Sequence, residues 1–323
     1  MENLIINLIK FLSIIVPVLI SVAYLTLAER KILGYIQLRK GPNVVGIYGL
    51  LQPLADGAKL FMKEMTVPNH SNLILYFFSP VLFLTLALMI WAILPYSTKE
   101  ALLTLDLGLL YILVLSSISV YAVLMSGWAS TSKYAFLGSL RAAAQMISYE
   151  VSMGLILISI LLIVGSLSLA KIVELQANTI IFLVPLLPAG IMFFVSILAE
   201  TNRAPFDLTE GESELVSGYN VEYSSMSFAL LFLAEYANII FMSALFSVLF
   251  LGGSQGPIVD SVIILAVKTT LIVLLFIWVR ASYPRIRYDQ LMMLLWKSYL
   301  PISLATVIIT TSILWSFFGL PVI

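Results

Sequence analysis

The chain has no cysteine and a single histidine, His70, among its 323 residues. Without thiols it can form neither a disulfide framework nor a thiolate-bound iron–sulfur cluster. Haem iron takes an axial His, Cys, Met or Tyr, and nothing in the pattern of the methionines and tyrosines supports such a site. Any electrons handled here are brought by another subunit. Charge is also scarce, at 11% of residues, against about 25% in ordinary soluble domains. The 17 basic and 17 acidic residues cancel, so there is no overall bias toward nucleic acid. The chain has no Walker A run, no G-x-G-x-x-G and no H-E-x-x-H, so phosphate-loop, dinucleotide-fold and zinc-protease readings find no support. His70, beside Pro68 and Asn69, reads as a surface residue rather than a ligand.

What is present is apolar. Hydrophobic residues make up 61% of the chain and the mean hydropathy is +1.07, so the bilayer is the main solvent. A membrane-crossing helix needs about 20 mostly apolar residues. Eight stretches qualify, at about 4–28, 74–95, 107–127, 142–165, 180–199, 225–251, 259–279 and 299–318. The expected fold is therefore all-α, a polytopic membrane protein of about eight transmembrane helices with short interfacial helices. The apolar run from Leu4 to Ala28 is longer than a signal-peptide core, and no A-x-A-like site follows it, so it reads as a retained first span. Pro17, Pro185 and Pro188 are candidate kinks. No internal repeat is visible, which points to one membrane domain over 1–323, with linkers at about 29–73, 128–141, 200–224 and 280–298.

The linkers alternate between two faces, and the faces differ. Those after spans one, three, five and seven carry Arg30, Lys31, Arg39, Lys40, Lys59, Lys63, Lys133, Arg141, Arg203, Arg280, Arg285, Arg287 and Lys297. The opposite linkers hold only Lys99 and Lys171, with Lys10 and Lys268 inside spans. By the positive-inside rule the basic face is cytoplasmic, or the matrix of a mitochondrion. It also has the long linkers, and chemistry is expected there. Lys268 is costly in mid-span and calls for a carboxylate or a wet cavity as partner.

Four constellations stand out. In the first linker Gln52, Asp56, Lys59 and Lys63 fall on one helical face, with Leu51, Leu54, Ala55, Ala58, Phe61 and Met62 covering the rest, the pattern of a helix at the membrane surface. Its charged stripe is either solvated or ligand-facing. Second, Glu150 and Glu235 lie within spans, and Glu29 and Glu200 at span ends. A carboxylate in hydrocarbon is expensive, so such residues face a bundle interior or wet cavity, either for proton-linked work or as structural ion pairs. Third, Glu200, Asp207, Glu210, Glu212, Glu214 and Glu222 surround the lone Arg203, an acidic island on a basic face whose members titrate as a coupled group. Thr209 and Glu212 fit a capping box. Fourth, Arg280, Arg285 and Arg287 cluster after span seven, where they either fix topology and bind lipid headgroups or pair with the acids. These features leave open a proton or cation transporter and a structural anchor for a peripheral redox arm. A transporter would more often show the inverted repeat that is missing here.

The polar runs resemble a known family. They are Ala28-Glu29-Arg30-Lys31-Ile32-Leu33-Gly34, Gln37-Leu38-Arg39-Lys40-Gly41-Pro42-Asn43, Gln52-Pro53-Leu54-Ala55-Asp56-Gly57, Arg141 through Glu150, Ala199 through Leu208, Glu210 through Gly218, Asn220-Val221-Glu222-Tyr223, Ala234-Glu235-Tyr236-Ala237-Asn238, and Tyr283-Pro284-Arg285 with Asp289-Gln290-Leu291. Together they are similar, over nearly the whole chain, to the subunit 1 family of respiratory NADH:quinone oxidoreductases (complex I). The resemblance implies a subunit with no redox centre of its own, which forms the ubiquinone-access tunnel and couples quinone reduction to proton translocation. Ubiquinone is the substrate, and NADH, FMN and iron–sulfur clusters belong to partner subunits. The implied partners are the peripheral-arm quinone-site and iron–sulfur subunits, neighbouring membrane subunits and lipid, with no nucleic acid. The implied location is the mitochondrial inner membrane, or alternatively a bacterial plasma membrane. The tunnel and its proton-linked acids would lie at Glu29, Asp56, Glu150, Glu200, Asp207, Glu210, Glu212, Glu222 and Glu235. Arg30, Arg39, Arg280 and Arg285 would stand at the cavity mouth or pair with those acids.

Overall fold

A computed structural model describes residues 2–97, 101, 103–208, 217–256 and 260–317, with side chains from residue 9 onward. All regular structure among these residues is helical. In chain order the helices are α1 (Glu2–Ile36), α2 (Gln52–Met62), α3 (Leu73–Met89, continued by a tighter turn to Ile93), α4 (Gly108–Ala129), α5 (Lys133–Val164) and α6 (Leu169–Asn178). They continue with α7 (Leu187–Glu200), α8 (Ser225–Phe250), α9 (Val262–Ser282) and α10 (Tyr288–Ser316), which contains a π-helical stretch over Leu294–Tyr299. Seven of them, α1, α3, α4, α5, α8, α9 and α10, are long and apolar enough to cross a bilayer.

The fifth predicted span departs from expectation. Only Leu187–Glu200 is helical, with Pro188 in its first turn. Fourteen residues at 1.5 Å each reach only about 21 Å, short of the roughly 30 Å hydrocarbon layer. Proline lacks the N–H that would extend the helix backward. The residues before it instead turn (Leu186 N to Phe182 O, 3.0 Å) and tie to the end of α8 (Leu183 N to Phe250 O, 3.0 Å). The fourth span begins earlier than predicted, at Lys133 rather than about residue 142, and Glu150 lies midway along α5. Pro17 lies inside α1 and Pro80 inside α3.

Helix α8 is the centre of the assembly and packs on α1, α2, α3, α6, α7 and α9. A helix apolar on every side must be surrounded, and from Phe241 to Phe250 every residue of α8 is buried. Aromatic rings fill the space beside it, with Phe193, Phe246 and Phe250 mutually in contact. At its far end the backbone carbonyls no longer bonded within the helix need donors. Gln176 of α6 supplies two, to Val248 O (3.0 Å) and Leu249 O (3.1 Å).

Lys268 supplies more. Its ammonium donates to the carbonyls of Leu251 (2.6 Å), Gly253 (3.0 Å) and Gln255 (2.6 Å). A carboxylate or wet cavity is the expectation from sequence; the hydrogen-bonded partners are three carbonyls around the C-terminus of α8, with the Asp260 carboxylate near enough to attract the ammonium. The negative end of the helix dipole favours a cation there. Replacing Lys268 with Met keeps the stem and removes the three donors, at about 1.5–3 kcal/mol for bonds to a charged group. Limited proteolysis of the assembled protein should then cut within 251–256 faster than in wild type, and equal protection would refute this role.

Candidate functional site

The odd-numbered linkers converge at one end of the bundle, and the site is built where they meet. On α1 successive residues point to two sides. Glu29 is 7% exposed and faces α8 and α9. Its Oε1 accepts from Arg280 Nη1 at the end of α9 and lies 3.5 Å from Arg203 Nη1 in the linker after α7. Its Oε2 accepts from Tyr236 Oη of α8 at 2.5 Å. The Arg203 guanidinium lies over the Tyr236 ring, 4.4 Å from its centroid, in a cation–π contact. A cavity of about 20 Å³ remains among Glu29, Arg203, Tyr236 and Arg280, room for about one water molecule.

Arg30, the next residue on α1, is exposed and pairs with Asp56 of α2 at 2.9 Å, while Gln52 donates to the other oxygen of Asp56 at 2.9 Å. The polar stripe of α2 thus turns partly toward the protein. Leu54, Phe61 and Met62 are 68%, 73% and 88% exposed, the apolar face left for the bilayer. Between α1, α2 and α8 opens a largely apolar cleft of about 410 Å³. Arg30 and Asp56 line it together with Val22, Pro53, Leu60, Phe228 and Phe232, and Tyr236 belongs both to this cleft and to the small cavity at Glu29. The cleft has the size and lining of a small-molecule site, mostly apolar with a few polar groups.

The linker after α7 is held by its neighbours. Gln145 of α5 donates to Ala199 O (2.8 Å) and Phe206 O (2.9 Å). Arg285 bonds Asp207 at 2.9 Å, and Ile286 N donates to Pro205 O at 3.1 Å. Tyr76 Oη donates to Glu222 O at 2.8 Å. Tyr76 stacks on Tyr223, with centroids 4.3 Å apart, and burial pushes the Tyr223 phenol well above its ordinary range.

The acids within the bundle have different surroundings. Glu150 accepts from Ser116 (3.1 Å) and Ser117 of α4. Glu200 is buried, its Oε2 has no hydrogen-bond partner, and it is close enough to Glu150 to be repelled by it. Glu235 accepts from Tyr219. So Glu29, Arg30, Asp56, Asp207, Arg280 and Arg285 come into direct pairs, and Glu150, Glu200 and Glu235 sit in the bundle. Arg39 lies apart, bonded to Gln37 on an exposed turn. Glu222 contributes a backbone carbonyl. Glu210, Glu212 and the Thr209–Glu212 capping box lie outside the described residues. Sequence reasoning did not single out Tyr236, Tyr219 or Gln145, and gave Arg203 no place in the site. Hydroxyl and amide groups flanking acids within apolar spans were the available signal.

The architecture defines a class: a polytopic helical membrane protein whose charged linkers close over an apolar, membrane-level cleft. A family model described as NADH dehydrogenase matches residues 9–311, and the chain belongs to that family. It is 64% identical over 315 residues to the NADH-ubiquinone oxidoreductase chain 1 of Metridium senile, covering 97% of this chain and 94% of the relative. It is 56% identical over 323 residues to chain 1 of Carassius auratus, covering 99% of each. A bacterial relative, an NADH-quinone oxidoreductase subunit of Paramagnetospirillum magneticum, is 53% identical over 325 residues, covering 99% of this chain and 95% of the relative.

One close backbone approach positions Tyr219. A Cβ built on Gly138 of α5 would stand 2.9 Å from Gly218 Cα. Gly138→Val should push the Gly218–Asn220 turn off α5, with an overpacking cost of about 1–3 kcal/mol. NADH:quinone reductase turnover per assembled complex should fall further in this variant than in Tyr219→Phe, which removes only the hydroxyl. Wild-type turnover in Gly138→Val would show the contact to be dispensable.

Proposed function

We propose that this chain, as a multi-pass subunit of an H⁺-translocating NADH:quinone oxidoreductase, forms the quinone-access cavity of that enzyme and couples quinone reduction to proton movement. The membrane is the mitochondrial inner membrane or its bacterial counterpart. The observation that carries the reading is the apolar cleft between α1, α2 and α8, which shares Tyr236 with a small cavity lined by Glu29, Arg203 and Arg280. Ubiquinone has an apolar tail and a headgroup with two carbonyl oxygens. The apolar walls suit the tail, and the polar groups of the lining, Arg30, Asp56 and Tyr236, suit the headgroup as it moves toward the electron donor.

Reduction of the quinone takes up two electrons and two protons. With no cysteine in the chain, the electrons come from an iron–sulfur cluster of a peripheral-arm partner, fed in turn by NADH and FMN in other subunits. This chain supplies position and charge. Arg30, which lines the cleft, stabilises negative charge as it develops on the headgroup oxygens. Glu29 holds Arg280 and orients Tyr236 there. Protonation of the quinone changes the local field, and the change passes to the bundle acids Glu235, Glu150 and Glu200. Their helices are linked, since α5 packs on α7, and the turn carrying Tyr219 packs on α5.

Two experiments test this reading. A Cβ on Gly57, which lines the cleft, would meet nothing within 4 Å, so Gly57→Trp fills the cleft without straining the helix. It should raise KM for long-tailed ubiquinone about tenfold, the effect of about 1.4 kcal/mol, and alter a short-tailed analogue much less. Equal KM values for both substrates in the variant and wild type would remove the cleft from the quinone path. For the coupling step, the double variant Glu150→Gln/Glu235→Gln should assemble but lose most proton pumping and quinone reductase turnover. Unchanged turnover and pumping would sink that part of the mechanism.

A further inference from the structure

At the end of the molecule remote from the charged site, the shortened α7 leaves a groove that the function above does not use. It has a volume of about 430 Å³, lies between the end of α6, the turn before α7 and the second half of α10, and is almost wholly apolar, with Leu175, Phe182, Pro185, Leu186, Ile309 and Ile313 among its walls. Across Leu175, which lines both, lies a second recess of about 420 Å³ that presents Ser166, Lys171, Glu174 and Asn178. Lys171, Glu174, Leu175 and Asn178 follow the i, i+3, i+4, i+7 spacing of one helix face. The opposite face of α6, Leu169, Ile172, Val173 and Gln176, is buried, and the two Gln176 hydrogen bonds to α8 fix it there. The outward face is thus preformed. Lys171 and Glu174 have no ion-pair partner among the described residues.

We infer that this groove and recess together bind one phospholipid with a primary ammonium headgroup, of the phosphatidylethanolamine type. An acyl chain fills the apolar groove, where membrane depth and lining match a hydrocarbon tail. The recess offers one cation and one anion a turn apart, which complements a zwitterion: Lys171 takes the phosphate, while Glu174 and the Asn178 carbonyl accept from the ammonium. An anionic lipid without an amine could give its phosphate to Lys171 but would leave Glu174 with no cation to pair with. A choline headgroup has no N–H to donate. This site is distinct from the quinone cleft, so it stands or falls separately from the function proposed above.

The test uses the whole complex reconstituted in phosphatidylcholine vesicles with a trace of phosphatidylethanolamine carrying a photoactivatable acyl chain. After irradiation, label should map to peptides within 175–189 and 306–314. Excess unlabelled phosphatidylethanolamine should remove it, and excess phosphatidylglycerol should not. Lys171→Ala, a change at an exposed position, should lower that labelling about fivefold, and Glu174→Gln should abolish the preference for the ammonium lipid. Absence of label from both segments would overturn the site. So would equal competition by phosphatidylglycerol, or by added phosphatidylcholine against a neutral host lipid, since either marks ordinary boundary lipid. Protection of the groove by crosslinking of Thr179 or Thr306 to a partner subunit would assign it to protein instead.

Discussion

The arrangement depends on one buried carboxylate. Glu29 draws together α1, the linker after α7, the first half of α8 and the end of α9 through Arg203, Tyr236 and Arg280. These segments are up to 251 residues apart in sequence, and Glu29 is buried, so little water can take over if the contact fails. Breaking a buried pair by removing one partner typically costs about 3–5 kcal/mol, because the other charge is left uncompensated. Removing both would cost less, yet it would also release the linkers that close the charged end. Electrostatic pairing here sets geometry as much as stability.

The two ends of the bundle solve the same physical problem differently. Away from the charged site, donors from Lys268 and Gln176 meet backbone carbonyls, which cannot titrate, and that end is built to stay fixed. At the other end side chains meet side chains: Arg30 with Asp56, Arg285 with Asp207, Arg280 with Glu29. Such pairs tie the helix ends and linkers to one another. The tyrosine stack of Tyr76 on Tyr223 and the Gln145 bonds to the linker hold the backbone that carries them.

Much of this was legible in the sequence. Apolar length and the bias of Lys and Arg placed the spans and the charged face, because a bilayer tolerates few alternatives. Acids in apolar segments marked Glu29, Glu150, Glu200 and Glu235 for the same reason. What escaped depends on three-dimensional packing. Apolar content marked 180–199 as a span, and the segment does run from the far end of α8 to the charged end, but Pro185 and Pro188 leave only its later part helical. Lys268 implied a counterion, and Asp260 is near, yet the ammonium's hydrogen bonds go to carbonyls at a helix end. Arg203 read as the lone base of an acidic loop, and only the fold carries it to Glu29. Tyr236 sits inside a recognisable polar run, but its bridging of cleft and carboxylate requires knowing that α1 and α8 are neighbours.

The acids divide into two kinds, and the division bears on coupling. Glu29 is held by two arginines, so its environment favours a charge that stays put. Glu150 accepts from the Ser116 and Ser117 hydroxyls, and Glu235 has the Tyr219 hydroxyl among its partners. A hydroxyl solvates a carboxylate without neutralising it, and can also accept from a protonated one by rotating its own hydrogen. Glu200, with one oxygen unpartnered and Glu150 close by, is held still more loosely. On the proposed reading, Glu29 and its arginines fix Tyr236 at the cleft wall while the hydroxyl-bonded acids carry the variable charge. A site with arginines at every acid would be more rigid and would have no means of passing the signal onward.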